Sequence, residues 1–168
     1  MLKKSHEVKL KQHKLFIGLF LFCTFFSFID ILGVINIKIY PEYFIALMVL
    51  TISSNLISVS ITKVFLVGII IDIFIGSIMG QYTLTFLILL GFQVATQKYF
   101  SISSRMQTIF LRLISVSLGV LIVSMISQKF SPIFYANGSL LNYLIIDIGM
   151  TFFIFIIFQI FYERTYGT

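Results

Sequence analysis

Three aspartates lie inside apolar runs of this 168-residue chain: Asp30, Asp72 and Asp147. An ionised aspartate at the centre of a bilayer costs about 2.5–3.5 kcal/mol on insertion scales. Such a residue therefore faces a protein interior, binds something, or carries charge across. Together the three could line a proton or cation path, although their depths differ and no Lys or Arg lies at mid-depth to pair with them. Asp72 has the most informative neighbours. The stretch GIIIDIFIGSIMG, residues 68–80, places Gly68, Asp72, Gly76 and Gly80 at a constant spacing of four. Four residues turn a helix by about 400°, a drift of roughly 40° per step, so on one helix these positions make a stripe. Small residues at this spacing let a second helix approach closely, which is how helices associate in lipid. The stripe reads as a packing seam or a partner-binding face. Asp72 reads as a clamp between two helices or as a direct contact to a partner or ligand.

Other chemistry is sparse. No serine has a local His or acid partner that would make it a nucleophile. There is no HExxH motif, no glycine-rich loop after a strand and no paired catalytic carboxylate. An enzyme is not expected, and neither is a cofactor. His6 and His13 belong to a basic tail, and Cys23 is a single thiol within an apolar run, facing lipid or a neighbouring helix, so no metal site is expected.

These residues must be positioned by apolar helices. The chain is 59% apolar and only 11% charged, with a mean hydropathy of +1.07. A soluble domain carries roughly a quarter charged residues. Runs such as LFIGLFLFCTFFSFI and MTFFIFIIFQIF lack the alternation of a membrane β-barrel. The expected class is all-α, a polytopic membrane protein. Six spans of about 20 residues each are expected, at 15–35, 42–61, 64–80, 82–99, 107–127 and 140–161. A break near TISSN, residues 51–55, would shorten the second. This divides the chain into a basic cytoplasmic tail (1–14), one six-helix transmembrane domain (15–162) and a C-terminal cytoplasmic tail (163–168). The first run is long and no small-residue cleavage site follows it, so it reads as a retained span and not a signal peptide.

The net charge of +6 reads as a topology signal, since the basic residues fall between apolar spans. Nucleic acid is therefore not an expected partner; the lipid bilayer is. With the N-terminus inside, ten Lys and Arg face the cytoplasm and only Lys38 and Lys129 face out. Both termini are then cytoplasmic. Tyr40, Tyr43, Tyr82, Tyr135 and Tyr143 fall near outer span ends, where they would form an interfacial belt. Arg112, near the inner end of the fifth span, is expected to snorkel to the headgroups. Phe155 is expected on a lipid-facing surface.

A basic tail, about six spans, the element IKIYPEY with Pro41 opening the second span, and the Gly68–Asp72–Gly76–Gly80 spacing running into GSIMGQYTLTFLILLGF together resemble the rod shape-determining protein MreD family. The resemblance covers most of the chain in layout, while the motif occupies about 25 residues and the last two spans match in hydropathy alone. It implies a non-enzymatic scaffold subunit in the cytoplasmic (inner) membrane of a bacterium, supporting lateral peptidoglycan synthesis and cell shape. The implied partner is an MreC-like bitopic membrane protein, with indirect links to MreB, RodA and a penicillin-binding transpeptidase. The implied fold is that of the S components of energy-coupling-factor transporters. The competing expectation is such an S component itself, binding a vitamin or another small molecule. It would need convergent polar groups in the outer half, for which Asp30, Asp147, Asn142 and Gln81 are the candidates.

Overall fold

The computed structural model describes residues 2–31, 42–54, 60–75, 78–99, 105–130 and 140–166. These form six helices: α1 (Leu2–Ile31), α2 (Tyr43–Ser54), α3 (Ile61–Ile75), α4 (Gln81–Tyr99), α5 (Arg105–Phe130) and α6 (Leu140–Tyr166). The class is all-helical, as the composition requires. Pro41 and Gly76 lie outside the described residues, as do residues 55–59 of the expected second span.

The helix boundaries depart from the expected spans in informative ways. α1 begins in the basic tail instead of at Leu15. Leu, Lys, Glu and Gln are all good helix formers, and no Gly or Pro interrupts them before Gly18. α2 has 12 residues and ends within TISSN. There the Thr51 hydroxyl bonds the Leu47 carbonyl at 2.7 Å, and both Ser53 and Ser54 donate to the Leu50 carbonyl. Such back-bonding competes with the helical ladder. α3 ends at Ile75 and does not continue through Gly80.

α2 is apolar on every side, and a helix of that kind must be buried. Every residue from Phe44 to Ile52 is buried, and the helix packs against α1, α4, α5 and α6. At 1.5 Å per residue the described helix is about 18 Å long. Two of the described helical segments are long and apolar enough to cross a membrane: Met106–Ser127 of α5 and Leu144–Thr165 of α6. Outside the core, large apolar side chains stay exposed, including Phe25, Phe28, Ile73, Phe74, Phe110 and Phe153. So many exposed large apolar side chains are accepted by hydrocarbon without cost. Phe155, expected on this exterior, is instead buried, because α6 turns the face carrying Thr151, Ile154, Phe155 and Phe158 into the core.

The α2–α5 contact depends on Gly119. A Cβ there would sit 2.6 Å from Ile45 Cγ2 and 3.2 Å from Leu89 Cδ1. Both neighbours belong to the buried core, so neither has room to retreat. Gly119→Leu is expected to cost about 3 kcal/mol or more through overpacking. Thermal unfolding in mild detergent tests this, with Gly91→Leu as the control because a Cβ at Gly91 meets nothing within 4 Å.

The chain sorts its charges between the two ends of the bundle. One end gathers the starts of α2 and α4 with the finish of α3, and carries Glu42, Asp72 and Asp147. The other gathers the start of α5 with the last turns of α6, where Arg112 and Glu163 lie. Since α3 and α4 run antiparallel, Lys63 and Lys98 fall at this second end as well.

Candidate functional site

The motif residues build the junction between α3 and α4. The first turn of any helix leaves backbone N–H groups without intrahelical partners. A Ser, Thr, Asp or Asn at the N-cap usually takes them. Here the residue before α4 is Gly80, whose carbonyl accepts the first helical bond from Leu84 at 2.9 Å. Gly80 has no side chain to cap with, and its φ of 94° lies in the left-handed region that glycine tolerates best. Asp72 supplies the cap from the neighbouring helix. Its Oδ1 accepts the Tyr82 N–H at 2.8 Å; its Oδ2 accepts the Gly80 N–H at 3.1 Å, the Thr83 N–H at 3.2 Å and the Thr83 hydroxyl at 2.6 Å. The carboxylate faces the positive end of the α4 dipole. It is only 3% exposed, and each of these four bonds is accepted.

Gly68 explains how Asp72 gets close enough. It lies one turn earlier on the same face of α3. A Cβ at Gly68 would be 2.5 Å from Thr83 Cα and 2.8 Å from Thr83 Oγ1. The backbone of α4 therefore rests directly on this glycine. The expected four-residue stripe is split by the structure: Gly68 and Asp72 face α4, whereas Gly80 lies past the end of α3 and serves the turn. A Cβ on Gly80 would touch nothing within 4 Å, so it is not a packing residue.

A second set of polar contacts adjoins the first through Tyr82. Its backbone N–H is held by Asp72, and its hydroxyl donates to Glu42 Oε2 at 2.6 Å. Tyr82 is thus buried and not part of an interfacial belt. Glu42 occupies the N-cap of α2, where its carbonyl accepts from Ile45 and Ala46 at 3.1 and 3.2 Å. Its own N–H donates to Thr151 Oγ1 at 3.1 Å, and the Thr151 hydroxyl donates to the Asp147 carbonyl at 2.7 Å. Asp147 lies within electrostatic reach of Glu42. Gln81 points the other way, donating from Nε2 to the Val123 carbonyl at 3.1 Å and to Ser127 Oγ at 2.7 Å, which ties α4 to α5. Tyr82→Phe leaves a half-buried carboxyl group without this donor and is expected to cost about 1 kcal/mol. Thermal unfolding beside Tyr99→Phe, an exposed site, checks it.

The structure thus brings Asp72 and Asp147 to one end and joins them through Tyr82, Glu42 and Thr151. Asp30 falls in α1 and Asn142 in α6, but their side chains lie outside the described residues. Sequence reasoning passed over Glu42, although it follows Pro41 directly in the PEY element. Its signal was an acid at the opening of a wholly apolar helix. Among the described residues, no group of three His, Cys, Asp or Glu side chains could hold a metal ion. Cys23 faces inward, with its Sγ 3.7 Å from the Tyr43 carbonyl.

At the opposite end Arg112 does not snorkel: it is 8% exposed. Its Nη1 donates to Gln159 Oε1 at 2.6 Å, and Gln159 Nε2 donates in turn to Glu163 Oε1 at 2.6 Å. Compared with known proteins, the chain matches no family model, no curated protein and no solved structure at a significant level.

Proposed function

We propose that this chain is a polytopic, non-enzymatic membrane scaffold of the bacterial cell-wall elongation complex. It would sit in the cytoplasmic membrane with both termini inside and dock an MreC-like bitopic partner. The observation that carries the scaffold reading is the use made of Asp72. The acid of the Gly68–Gly80 motif is engaged in capping α4, and Gly68 is engaged in admitting the α4 backbone. The motif's chemistry is spent on fixing two helices, while the apolar exterior is left for lipid and neighbouring helices. The cell-wall assignment itself rests on the resemblance of layout and motif to the MreD family. A tagged pull-down from mild-detergent membranes, read by mass spectrometry, tests it. Recovery of a bitopic MreC-like protein with wall synthases is the expected result. Recovery of an ATPase pair with a transmembrane coupling subunit overturns it.

A second reading has one observation in its favour. Glu42, Tyr82, Thr151 and Asp147 converge from three helices at the acidic end. A substrate-binding subunit of a small-molecule transporter would use such polar groups in its outer half. Thermal shifts against a vitamin panel decide the point: a stabilising vitamin supports this reading, and a flat response removes it.

A further inference from the structure

The search for a site outside the α3–α4 junction leads to the basic end. Among the described residues, Arg112 Nε is the only buried side-chain nitrogen or oxygen with no hydrogen-bond partner. Arg112 is a buried residue, its Nε is sealed from the surface, and the hydrogen bond seen at Nη1 goes to a neutral amide. Native folds rarely leave a buried donor unpaired, and an unrecorded ion or ligand is a standard cause. Glu163 lies within electrostatic reach of Arg112 but its carboxylate is bonded to Gln159 Nε2 and leaves Nε unpaired.

The surroundings indicate what completes the site. Arg112 lies in the first third of α5, and Gln159 lies in the last third of α6. One turn from each, on the same helix faces, are Ile109, toward the basic end, and Ile156, toward the middle of the bundle, both exposed. Phe110, Ile160 and Phe161 extend this apolar surface. Lys63 and Lys98 make the same end positive. A planar guanidinium is the side chain best matched to phosphate oxygens. We propose that Arg112, with Gln159 beside it, binds a phosphate group between α5 and α6, that of an anionic phospholipid whose acyl chains run toward the middle of the bundle past Ile156.

The test uses the full chain purified in mild detergent. Phosphatidylglycerol, phosphatidylcholine and inorganic phosphate are the three probes, with binding read by native mass spectrometry and by the shift in thermal unfolding. Phosphatidylglycerol is expected to bind and to raise the unfolding temperature in wild type, with phosphatidylcholine much weaker. Arg112→Leu is expected to weaken phosphatidylglycerol binding about tenfold or more. This variant fills the space with apolar atoms, so it is expected to fold. Glu163→Gln, at an exposed position, removes the competing anion and is expected to bind more tightly. An Arg112-dependent response to inorganic phosphate that phosphatidylglycerol does not reproduce assigns the site to a soluble phosphate. Equal phosphatidylglycerol binding by wild type and Arg112→Leu, or no response to any probe, overturns the proposal.

Discussion

Asp72→Ala is expected to destabilise the fold by about 4 kcal/mol, and Asp72→Asn by about 2 kcal/mol. The order follows from the donors that the carboxylate serves. Oδ2 takes three bonds and Oδ1 takes one. An asparagine that places its carbonyl at the Oδ2 position keeps three of them. Its amide then faces the Tyr82 N–H, donor against donor, where 2.8 Å now separates donor from acceptor. The negative charge opposite the helix N-terminus is also lost. Alanine forfeits all four bonds and leaves backbone donors buried. Thermal unfolding in mild detergent, followed by size-exclusion profile, reads both variants. The scaffold and ion-path readings separate here. If Asp72→Asn keeps wild-type stability and instead abolishes flux in liposomes, the carboxylate serves transport and its capping role is secondary.

Much of this junction was legible as residue type and spacing. The Gly68–Asp72 step on one helix face follows from helical periodicity, and a costly acid in an apolar run had to be satisfied by something. What satisfied it was not legible. Periodicity treated residues 64–80 as one helix, whereas α3 stops at Ile75 and the chain turns through Gly80 with a positive φ. A fixed spacing of four cannot distinguish a glycine that admits a neighbour from one that permits a turn. Tyr82 and Arg112 show the same limit. Both stand near helix ends, where sequence position suggests an interface, and both turn inward onto partners distant in sequence. The depth of a side chain along a helix can be counted, but its rotation about the axis depends on which helices surround it. Phe155 was misplaced for that reason too.

Gly68→Ala is expected to cost about 3 kcal/mol, more than a small-to-larger change in a side-chain-lined site usually does. The reason is the identity of the obstructing atom. The new Cβ would lie 2.5 Å from Thr83 Cα, which is main chain. No rotamer change relieves that contact, so α3 and α4 must move apart. Thr83→Ala, which removes Oγ1 but leaves Cα in place, is therefore expected not to rescue the variant. Gly80→Ala offers the contrast. It meets no atom, and the left-handed backbone alone accounts for an expected loss of about 1–2 kcal/mol. Moving α4 away at Gly68 also draws its first-turn N–H groups off the Asp72 carboxylate, one turn further along α3. The two residues share one contact surface, and neighbours of that kind are not additive. The double variant Gly68→Ala/Asp72→Asn is expected to be less destabilised than the sum of its parts by about 1 kcal/mol or more. Full additivity in that cycle would mean that the close approach at Gly68 and the cap at Asp72 are separate devices, and that the glycine is there for some purpose other than bringing the carboxylate to the helix.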